Sequence, residues 1–413
     1  MANVLPAVAV GPTRGRQSRF LWRGLMIDSA RTRHSVATIK RVIELASRYG
    51  FNRLQWHLTD DQGWRFHVPE YPNLTAEAAF LPRDTFDDYH ALRGDTRARA
   101  SQEQDDKWHN GFYTDADIAE VVAHAQRHGV MIVPEVDLPG HMMAAIMAYP
   151  ELGRPTGLPL PEGSMREHMW WPARNDLLWP TDEAQNFIVA VMRRVIELFP
   201  APYVHIGGDE CAHQQWASDP DIDAWMTLRG VERPDQLQGW FMQQAADVLR
   251  AHGRQVAVWD DACQLWNDDE ALVIAWDEDR GMERIKNANQ QFVFADARYL
   301  YLNRVDPHAQ HPQKGMLPAI SVNDILTATW PESNHERCVG LQACVWSEFV
   351  LDGNDLLAML FPRLLAVAER MWNPSPDAAE AAVRIAQEYA ALQSAGVLDL
   401  RTSATVVTVN ATT

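Results

Sequence analysis

The chain has 413 residues, 46% of them hydrophobic, which is enough to bury one large core or two ordinary ones. Its 37 lysines and arginines against 55 aspartates and glutamates give a formal charge of -18, which repels nucleic acid and acidic membrane surfaces. Neither is predicted as a partner, and a local basic pocket is left open. The four cysteines lack paired spacing, which excludes a disulfide scaffold and predicts reduced thiols.

Apolar runs of strand length recur along the chain and alternate with helical patterns. One helix is predicted from Val36 to a stop at Gly50, and others after Thr114, Thr181 and Pro234. The strand candidates span residues 19–28, 52–58, 129–137, 203–208, 255–260, 272–277, 291–296 and 340–346. Because these runs are continuous rather than alternating, the sheet is predicted to be parallel with both faces covered. Eight such units predict an α/β fold, the closed (β/α)8 TIM barrel.

The barrel is predicted to form a single domain over residues 20–400, with an N-terminal extension at 1–19 and a C-terminal tail at 401–413. Two long segments, at about 66–112 and 138–181, interrupt the alternation, and loops of this length are usually functional or disordered. The N-terminus lacks a charged region ahead of its short apolar stretch, and no apolar run reaches the length of about 18 residues that spans a membrane. These features predict a soluble, cytoplasmic protein, although a chain whose signal had been removed would look the same.

Acidic and aromatic side chains follow almost every predicted strand. The active site of a parallel barrel lies where its strands end, so these side chains are predicted to meet at one mouth. Flat aromatic faces beside acids suit sugar rings, although part of the sixteen tryptophans is expected to fill the core. The residues past the strands are, in chain order, Asp28, Arg31, Asp60, Asp61, Asp137, His141, Asp209, Glu210, Trp259, Asp260, Trp276, Asp277, Tyr301, Asn303, Arg304, Trp346 and Glu348.

The stretch HIGGDE places Asp209 and Glu210 side by side after two glycines. Glycosidases generally use two carboxylates on opposite sides of the scissile bond, and adjacent residues do not fit that scheme directly. The substrate can supply the missing nucleophile, because a 2-acetamido group has a carbonyl oxygen that can attack its own anomeric carbon. The pair therefore favours a substrate-assisted glycosidase.

At these residues the chain resembles the family 20 glycoside hydrolases, the exo-β-N-acetylhexosaminidases. The matching motifs occur in the family's order from about residue 20 to residue 372, which is nearly the whole barrel. They are RGLMIDSAR, HLTDDQGWR, GFYTDADI, VPEVDLPGH, HIGGDE, GLQACVWSE and FPRLLAVAERMW.

The resemblance implies a retaining enzyme that removes terminal β-linked N-acetylglucosamine or N-acetylgalactosamine from a glycan. It implies that Glu210 is the general acid and base, while Asp209 and Tyr301 hold the acetamido group. Asp60 and His141 match the pair that stands behind the acid. The implied sugar-binding residues are Arg31, Trp259, Trp276, Trp346 and Glu348.

The stretch YLYLNRV departs from the family pattern, in which many members carry Tyr-Leu-Asp. We align Tyr301 with the family tyrosine, with Tyr299 as a competitor. Asn303 then replaces an aspartate and Arg304 follows it, an exchange that favours an anionic group because arginine offers a bidentate fork. The hypothesis is a preference for 6-sulfated N-acetylglucosamine; the alternative is ordinary neutral-sugar specificity with Arg304 in solvent. The N-terminal companion domain of many members is not expected, so the barrel stands alone or leans on a second subunit.

Two further function classes stay open. A carbohydrate-binding barrel without activity is one, since fold alone does not prove catalysis. A metal-dependent hydrolase is the other, but His57, His141 and Asp209 show no metal-ligand spacing, so neither metal nor cofactor is predicted. Simpler roles exist for single residues: Arg31 in a surface ion pair, Asp60 in a solvated turn and His205 in the core. A glycan is the only partner predicted, and a homo-oligomer is left open.

Overall fold

In this computed structural model, both termini and several internal stretches lie outside the described residues. The predicted C-terminal tail at 401–413 is one of these stretches. The structure describes residues 9–12, 17–18, 20–80, 110–155, 177–266, 268–286, 289–309, 315–330, 336–350, 352–373 and 375–398. Of the predicted N-terminal extension, the described part packs on the barrel: Val10 is fully buried, and the Ser18 hydroxyl donates to the Met371 carbonyl over 2.9 Å.

Within the described residues, eight parallel strands close into a barrel in the order β1-β10-β9-β8-β7-β6-β5-β2. This confirms the predicted α/β barrel and all eight of the predicted strands. A two-stranded antiparallel ribbon, β3 and β4, follows β2. The strands are β1 Trp22–Asp28, β2 Arg53–His57, β3 Thr59–Asp60, β4 Gly63–Trp64, β5 Met131–Glu135, β6 Tyr203–His205, β7 Gln255–Trp259, β8 Leu272–Ala275, β9 Phe292–Phe294 and β10 Cys338–Val345.

Helices surround the barrel and bury their apolar stripes against it. Ser35 caps the first predicted helix, Thr181 caps a later one, and Thr114 forms a capping box with Asp117. The helices are α1 Val36–Arg48, α2 Asn73–Ala76, α3 Asp115–Arg127, α4 Met143–Ala148, α5 Asp182–Leu198, α6 Gln214–Ala217, α7 Ile222–Arg229, α8 Gln236–Ala251, α9 Glu278–Lys286, α10 Ala297–Leu300, α11 Val322–Thr327, α12 Gly353–Leu360, α13 Arg363–Trp372 and α14 Ala378–Ser394.

The connection between β7 and β8 departs from the regular strand and helix alternation. Its described residues form a 3-10 helix, Asp260–Gln264, in place of an α-helix. The two long segments that interrupt the alternation contain α2 and α4 and continue outside the described residues. Among the described helices, none combines the length and the apolar composition of a membrane span.

The barrel interior is only partly apolar. Hydrogen bonds run through it from Trp22 Nε1 to Gln342 Oε1 (3.0 Å), from Gln342 Nε2 to Gln55 Oε1 (2.8 Å) and from Gln55 Nε2 to Glu135 Oε2 (2.8 Å). We call these four residues the interior chain. Gln342, Gln55 and Glu135 are fully buried. The interior chain ends at Glu135, directly beneath the mouth that the strand ends form.

Candidate active site

The carboxyl ends of the barrel strands bring the predicted site residues to one mouth. Asp28 ends β1, Asp60 follows β2, Asp209 follows β6, and Trp276 and Trp346 directly follow β8 and β10. This is the edge at which parallel barrels carry their active sites. The contacts among these residues determine what the mouth can do.

The turn after β6 explains the two glycines of HIGGDE. Gly207 has φ +66°, and a Cβ there would overlap the carboxyl group of Asp137. The Gly208 N–H donates to Asp137 Oδ1 over 3.0 Å. Glu210 itself has φ +48°, a left-handed conformation that costs energy outside glycine. The glycines therefore let the backbone pass over Asp137 and present Asp209 and Glu210 at the mouth.

His141 lies between the two carboxylates of the pair and the acids beneath them. Its Nε2 is 3.7 Å from Asp209 Oδ2 and 3.6 Å from Glu210 Oε2, while its Nδ1 is 3.4 Å from both Asp60 Oδ1 and Asp61 Oδ2. Burial alone would lower the pKa of His141, but Asp60 and the other acids around it raise that pKa well above the ordinary value. The surrounding acids therefore favour the protonated form of His141 beside Glu210.

Both oxygens of Asp60 are held, since the Asp61 N–H donates to Oδ1 over 2.6 Å and two side chains approach Oδ2. Arg31 Nη2 lies 2.7 Å and His57 Nε2 lies 2.8 Å from its Oδ2. Burial would raise the pKa of Asp60, but Arg31 and His141 lower it well below the usual range. The Arg31 guanidinium also bonds Gln62 (2.7 Å) and lies 5.0 Å from the ring centre of Trp346. Arg31 is thus a buried member of the mouth, not half of a surface ion pair.

The acids at the mouth differ in proton affinity. Burial, and then Asp209, raise the pKa of Asp137 well above the usual range. Glu210 keeps 47% of its side-chain surface exposed. Partial desolvation by the surrounding protein atoms, together with Asp209, raises the pKa of Glu210 against the opposing charge of His141. Burial raises the pKa of Glu348 to about 7, with Arg31 acting against it.

Aromatic rings form one wall of the mouth. Trp276 stacks with Tyr301 at 6.1 Å and 17°, and Tyr301 meets Trp346 at 6.1 Å and 60°. The Trp276 indole donates to Asp261 Oδ2 over 2.8 Å, which fixes its ring. Tyr299 packs instead among the outer core residues, so Tyr301 is the tyrosine that the structure brings to the wall.

Three predicted sugar-binding residues are bonded within the protein. Trp259 is fully buried, and its indole donates to Glu135 Oε1 over 2.8 Å, beneath the mouth. Asn303 is also fully buried, and its Nδ2 lies 3.0 Å from Met316 Sδ. The Arg304 Nε donates to the Ala297 carbonyl over 2.8 Å, and only 6% of this residue is exposed. Arg304 therefore does not point into solvent.

The sequence did not single out Glu135, Gln62 and Asp261, and it assigned His57 only to a discarded metal set. Glu135 has the clearest signal, because it is the charged final residue of an otherwise apolar strand, MIVPE. Gln62 and Asp261 lie in loops where polar residues are ordinary. Asp61 was noted at the rim, and it contacts His141.

Some of these groups have the spacing of metal ligands. Asp60, Asp61 and His141 form one such set, and Asp137, His141 and Asp209 form another. The oxygens of Asp60, however, already face Arg31 and two imidazoles, so cationic side chains supply the positive charge that a metal would bring. A third set, Glu44, His124 and His128, lies on the outer helices away from the mouth.

Comparison with known proteins agrees with this geometry. Residues 20–375 match the family model described as Glycosyl hydrolase family 20, catalytic domain. The chain belongs to glycosyl hydrolase family 20. The family 20 match covers all eight barrel strands and every predicted site residue.

The family 20 relatives include β-hexosaminidases of bacteria. The enzyme of Porphyromonas gingivalis is 30% identical over 377 residues, and the match covers 90% of this chain and 45% of that protein. The enzyme of Akkermansia muciniphila is 30% identical over 366 residues, and the match covers 86% of this chain and 69% of that protein. A solved family 20 exo-β-N-acetylglucosaminidase from Vibrio harveyi, in complex with N-acetylglucosamine, superposes with a TM-score of 0.78 at 28% identity. This match covers 92% of this chain and 59% of the Vibrio harveyi chain. The chain thus spans about half the length of several relatives it matches.

Proposed function

We propose that this chain is a retaining exo-β-N-acetylhexosaminidase that acts on terminal β-linked N-acetylglucosamine or N-acetylgalactosamine. One observation carries the proposal: Asp209 and Glu210 leave the glycine turn side by side, with the His141 imidazole within 3.7 Å of both. Because Asp209 is adjacent to Glu210 in the chain, this pair does not fit the scheme of two carboxylates on opposite sides of the scissile bond. The proposal is supported by the names of the family 20 relatives, which are β-hexosaminidases.

In the first step, Glu210 gives its proton to the glycosidic oxygen while the acetamido oxygen attacks the anomeric carbon and the glycosidic bond breaks. The raised pKa of Glu210 favours the protonated form that this step needs. The His141 cation stabilises the carboxylate that is left. The attack closes the acetamido group into a positively charged oxazolinium ring. Asp209 faces this ring and orients the acetamido N–H.

In the second step, water attacks the anomeric carbon, its proton passes to Glu210, and the bond to the acetamido oxygen breaks. Two inversions at one carbon give net retention. Burial raises the pKa of Tyr301 well above the usual value, so its hydroxyl stays neutral and can donate to the acetamido oxygen. Trp276 and Trp346 form the apolar wall against which the sugar packs, and Arg31 and Glu348 offer polar groups to its hydroxyls.

Hydrolysis of three nitrophenyl β-glycosides tests this function: the N-acetylglucosaminide, its 6-sulfate and the plain glucoside. We expect cleavage of the acetamido sugars alone, because only they contain the internal nucleophile. Equal cleavage of the glucoside would contradict substrate assistance. Binding of the sugars without cleavage would instead support the alternative, a carbohydrate-binding barrel without activity.

The preference for a 6-sulfate is a finer hypothesis that depends on Arg304. Its guanidinium is already bonded to the Ala297 carbonyl and lies 3.5 Å from the Pro318 carbonyl, and Asn303 is turned to Met316. These contacts favour neutral-sugar specificity. A sulfate would bind if the remaining N–H groups of Arg304 reach position 6 of the sugar.

Replacing Arg304 by alanine separates the two specificities. If Arg304 binds the sulfate, kcat/KM on the 6-sulfate falls by on the order of 10-fold or more relative to the neutral substrate, as expected for the loss of a charged hydrogen bond. Both substrates are measured on the same preparation, so a general loss of stability affects them equally. Equal losses on the two substrates would exclude the sulfate hypothesis.

A further inference from the structure

Glu135 is a fully buried charged residue in the interior of the barrel. It lies at the end of β5, and the Trp259 and Gln55 side chains each donate a hydrogen bond to one of its oxygens. Two imidazoles also lie close to it, of which His205 accepts the Gly207 N–H at Nδ1. Trp259 Nε1 (2.8 Å) and His205 Nδ1 (3.2 Å) face Oε1, while Gln55 Nε2 (2.8 Å) and His57 Nδ1 (2.9 Å) face Oε2. Burial would raise the pKa of Glu135, but His57 and His205 lower it far below the usual range. An ionised carboxylate at such a depth requires compensation of this kind.

His57 faces a carboxylate with each of its ring nitrogens. Nδ1 lies 2.9 Å from Glu135 Oε2, and Nε2 lies 2.8 Å from Asp60 Oδ2. Nε2 forms a hydrogen bond with Asp60, whereas Nδ1 lies close to Glu135 without the alignment of a hydrogen bond. The His57 and Trp346 rings pack edge to face, with their centres 5.0 Å apart. A buried imidazole this close to two carboxylates is more stable as the doubly protonated imidazolium, because each of its N–H groups then faces an acid.

Asp60 connects this buried ion pair to the mouth. Its Oδ2 bonds His57 and Arg31, and its Oδ1 faces His141 Nδ1 at 3.4 Å. His141 in turn faces Glu210. Acids and imidazoles thus alternate from the centre of the barrel to the open mouth, in the order Glu135, His57, Asp60, His141 and Glu210.

We propose that Glu135 is a positioning residue for the reaction, which it reaches through His57, Asp60 and His141 without contacting the sugar. By holding His57 as an imidazolium, it keeps Asp60 ionised and fixed, and Asp60 aims the His141 ring at Glu210. With a neutral side chain at position 135, the buried His57 ring releases a proton, because one acid alone does not offset the cost of burying its charge. The kinetic part of the proposal rests on the proposed function, whereas the charge of His57 does not.

The first test is the protonation of His57, measured by nitrogen-15 NMR of the histidine side chains, with His57→Gln used to assign its signals. In the wild-type protein at neutral pH, we expect both ring nitrogens of His57 to carry protons. In Glu135→Gln, we expect one nitrogen to be bare. A bare nitrogen in the wild-type protein would overturn the proposal without any variant having to fold.

The second test is kinetic. We expect Glu135→Gln to lower kcat on the order of 10- to 100-fold with KM nearly unchanged, a loss of the size seen when a group that orients a metal-bound histidine is removed. Because both residues act through Asp60, the variant that combines Glu135→Gln with His57→Gln is expected to be no worse than the worse single variant. Additive losses, or an unchanged kcat in Glu135→Gln, would overturn the positioning role.

Gln342→Met is the matched control. It breaks the same interior chain next to Gln55 but removes no charge. We expect it to lower stability while leaving His57 doubly protonated. If it also removed a proton from His57, the effect of Glu135 would be structural and the proposal would fail. If the wild-type protein cleaves no glycoside yet His57 is doubly protonated, the proposed function fails and the ion pair stands.

Discussion

Replacing Glu210 by glutamine lowers kcat on an N-acetylglucosaminide with a sugar leaving group on the order of 10²- to 10⁴-fold, the usual contribution of a general acid. Glutamine keeps the shape of the side chain and its contact with His141 but has no proton to give. The departing sugar oxygen then leaves as an alkoxide. This variant should have the largest effect on rate of any at the mouth.

The leaving group and the pH profile identify the role. A dinitrophenolate leaves without protonation, so its glycoside should lose far less rate in the first step. Wild-type activity should fall as the pH rises through the raised pKa of Glu210, since the acid form is the active one below that pKa. The glutamine variant should lack this fall. Equal losses on both leaving groups would remove Glu210 from the role of acid.

Gly207→Ala should have the largest effect on structure. Its Cβ would overlap the Asp137 carboxyl, and its φ of +66° is unfavourable for alanine. The turn must then rebuild, which moves Asp209 and Glu210 by enough to cost on the order of 100-fold in kcat/KM. The steric overlap and the loss of the Gly208 hydrogen bond are expected to cost a few kcal/mol of unfolding free energy as well, about the range of severe core changes.

Gly230→Ala is the control for backbone conformation. Gly230 ends α7 with φ +70°, but no atom lies within 4 Å of the Cβ position. This variant should lose about 1–2 kcal/mol from the left-handed conformation and keep its activity. Denaturant unfolding and kcat/KM are measured on both variants. If the two behave alike, the contact between the turn and Asp137 has no special role.

The barrel could be predicted from the sequence because parallel strands covered on both faces are continuous apolar runs. The mouth could be predicted because each such run ends in acids or tryptophans. Those signals depend only on the order of residues along one strand. They place Asp209, Glu210, His141, Asp60 and Trp276 correctly at one end of the fold.

The direction of single side chains could not be predicted in the same way. VAVWD and VIAWD look equivalent, yet Trp259 is the last residue of β7 and turns inward to Glu135, whereas Trp276 follows β8 and reaches the wall. The difference depends on the register between neighbouring strands. The role of Glu135 was missed for the same reason, since its partners come from three other strands.

The interior chain ties the completion of the site to the completion of folding. Trp22 and Gln342 are 320 residues apart, and Gln342 and Gln55 are 287 apart, so these bonds join the two ends of the sequence. Such long-range contacts form late because the entropy of closing the intervening chain must be overcome first. In a nascent or truncated protein that lacks β10, Gln55 and the nearby charged groups of Glu135 and His57 would be in contact with water. Catalytic competence should therefore emerge with the final strand, as an all-or-none property of the closed ring.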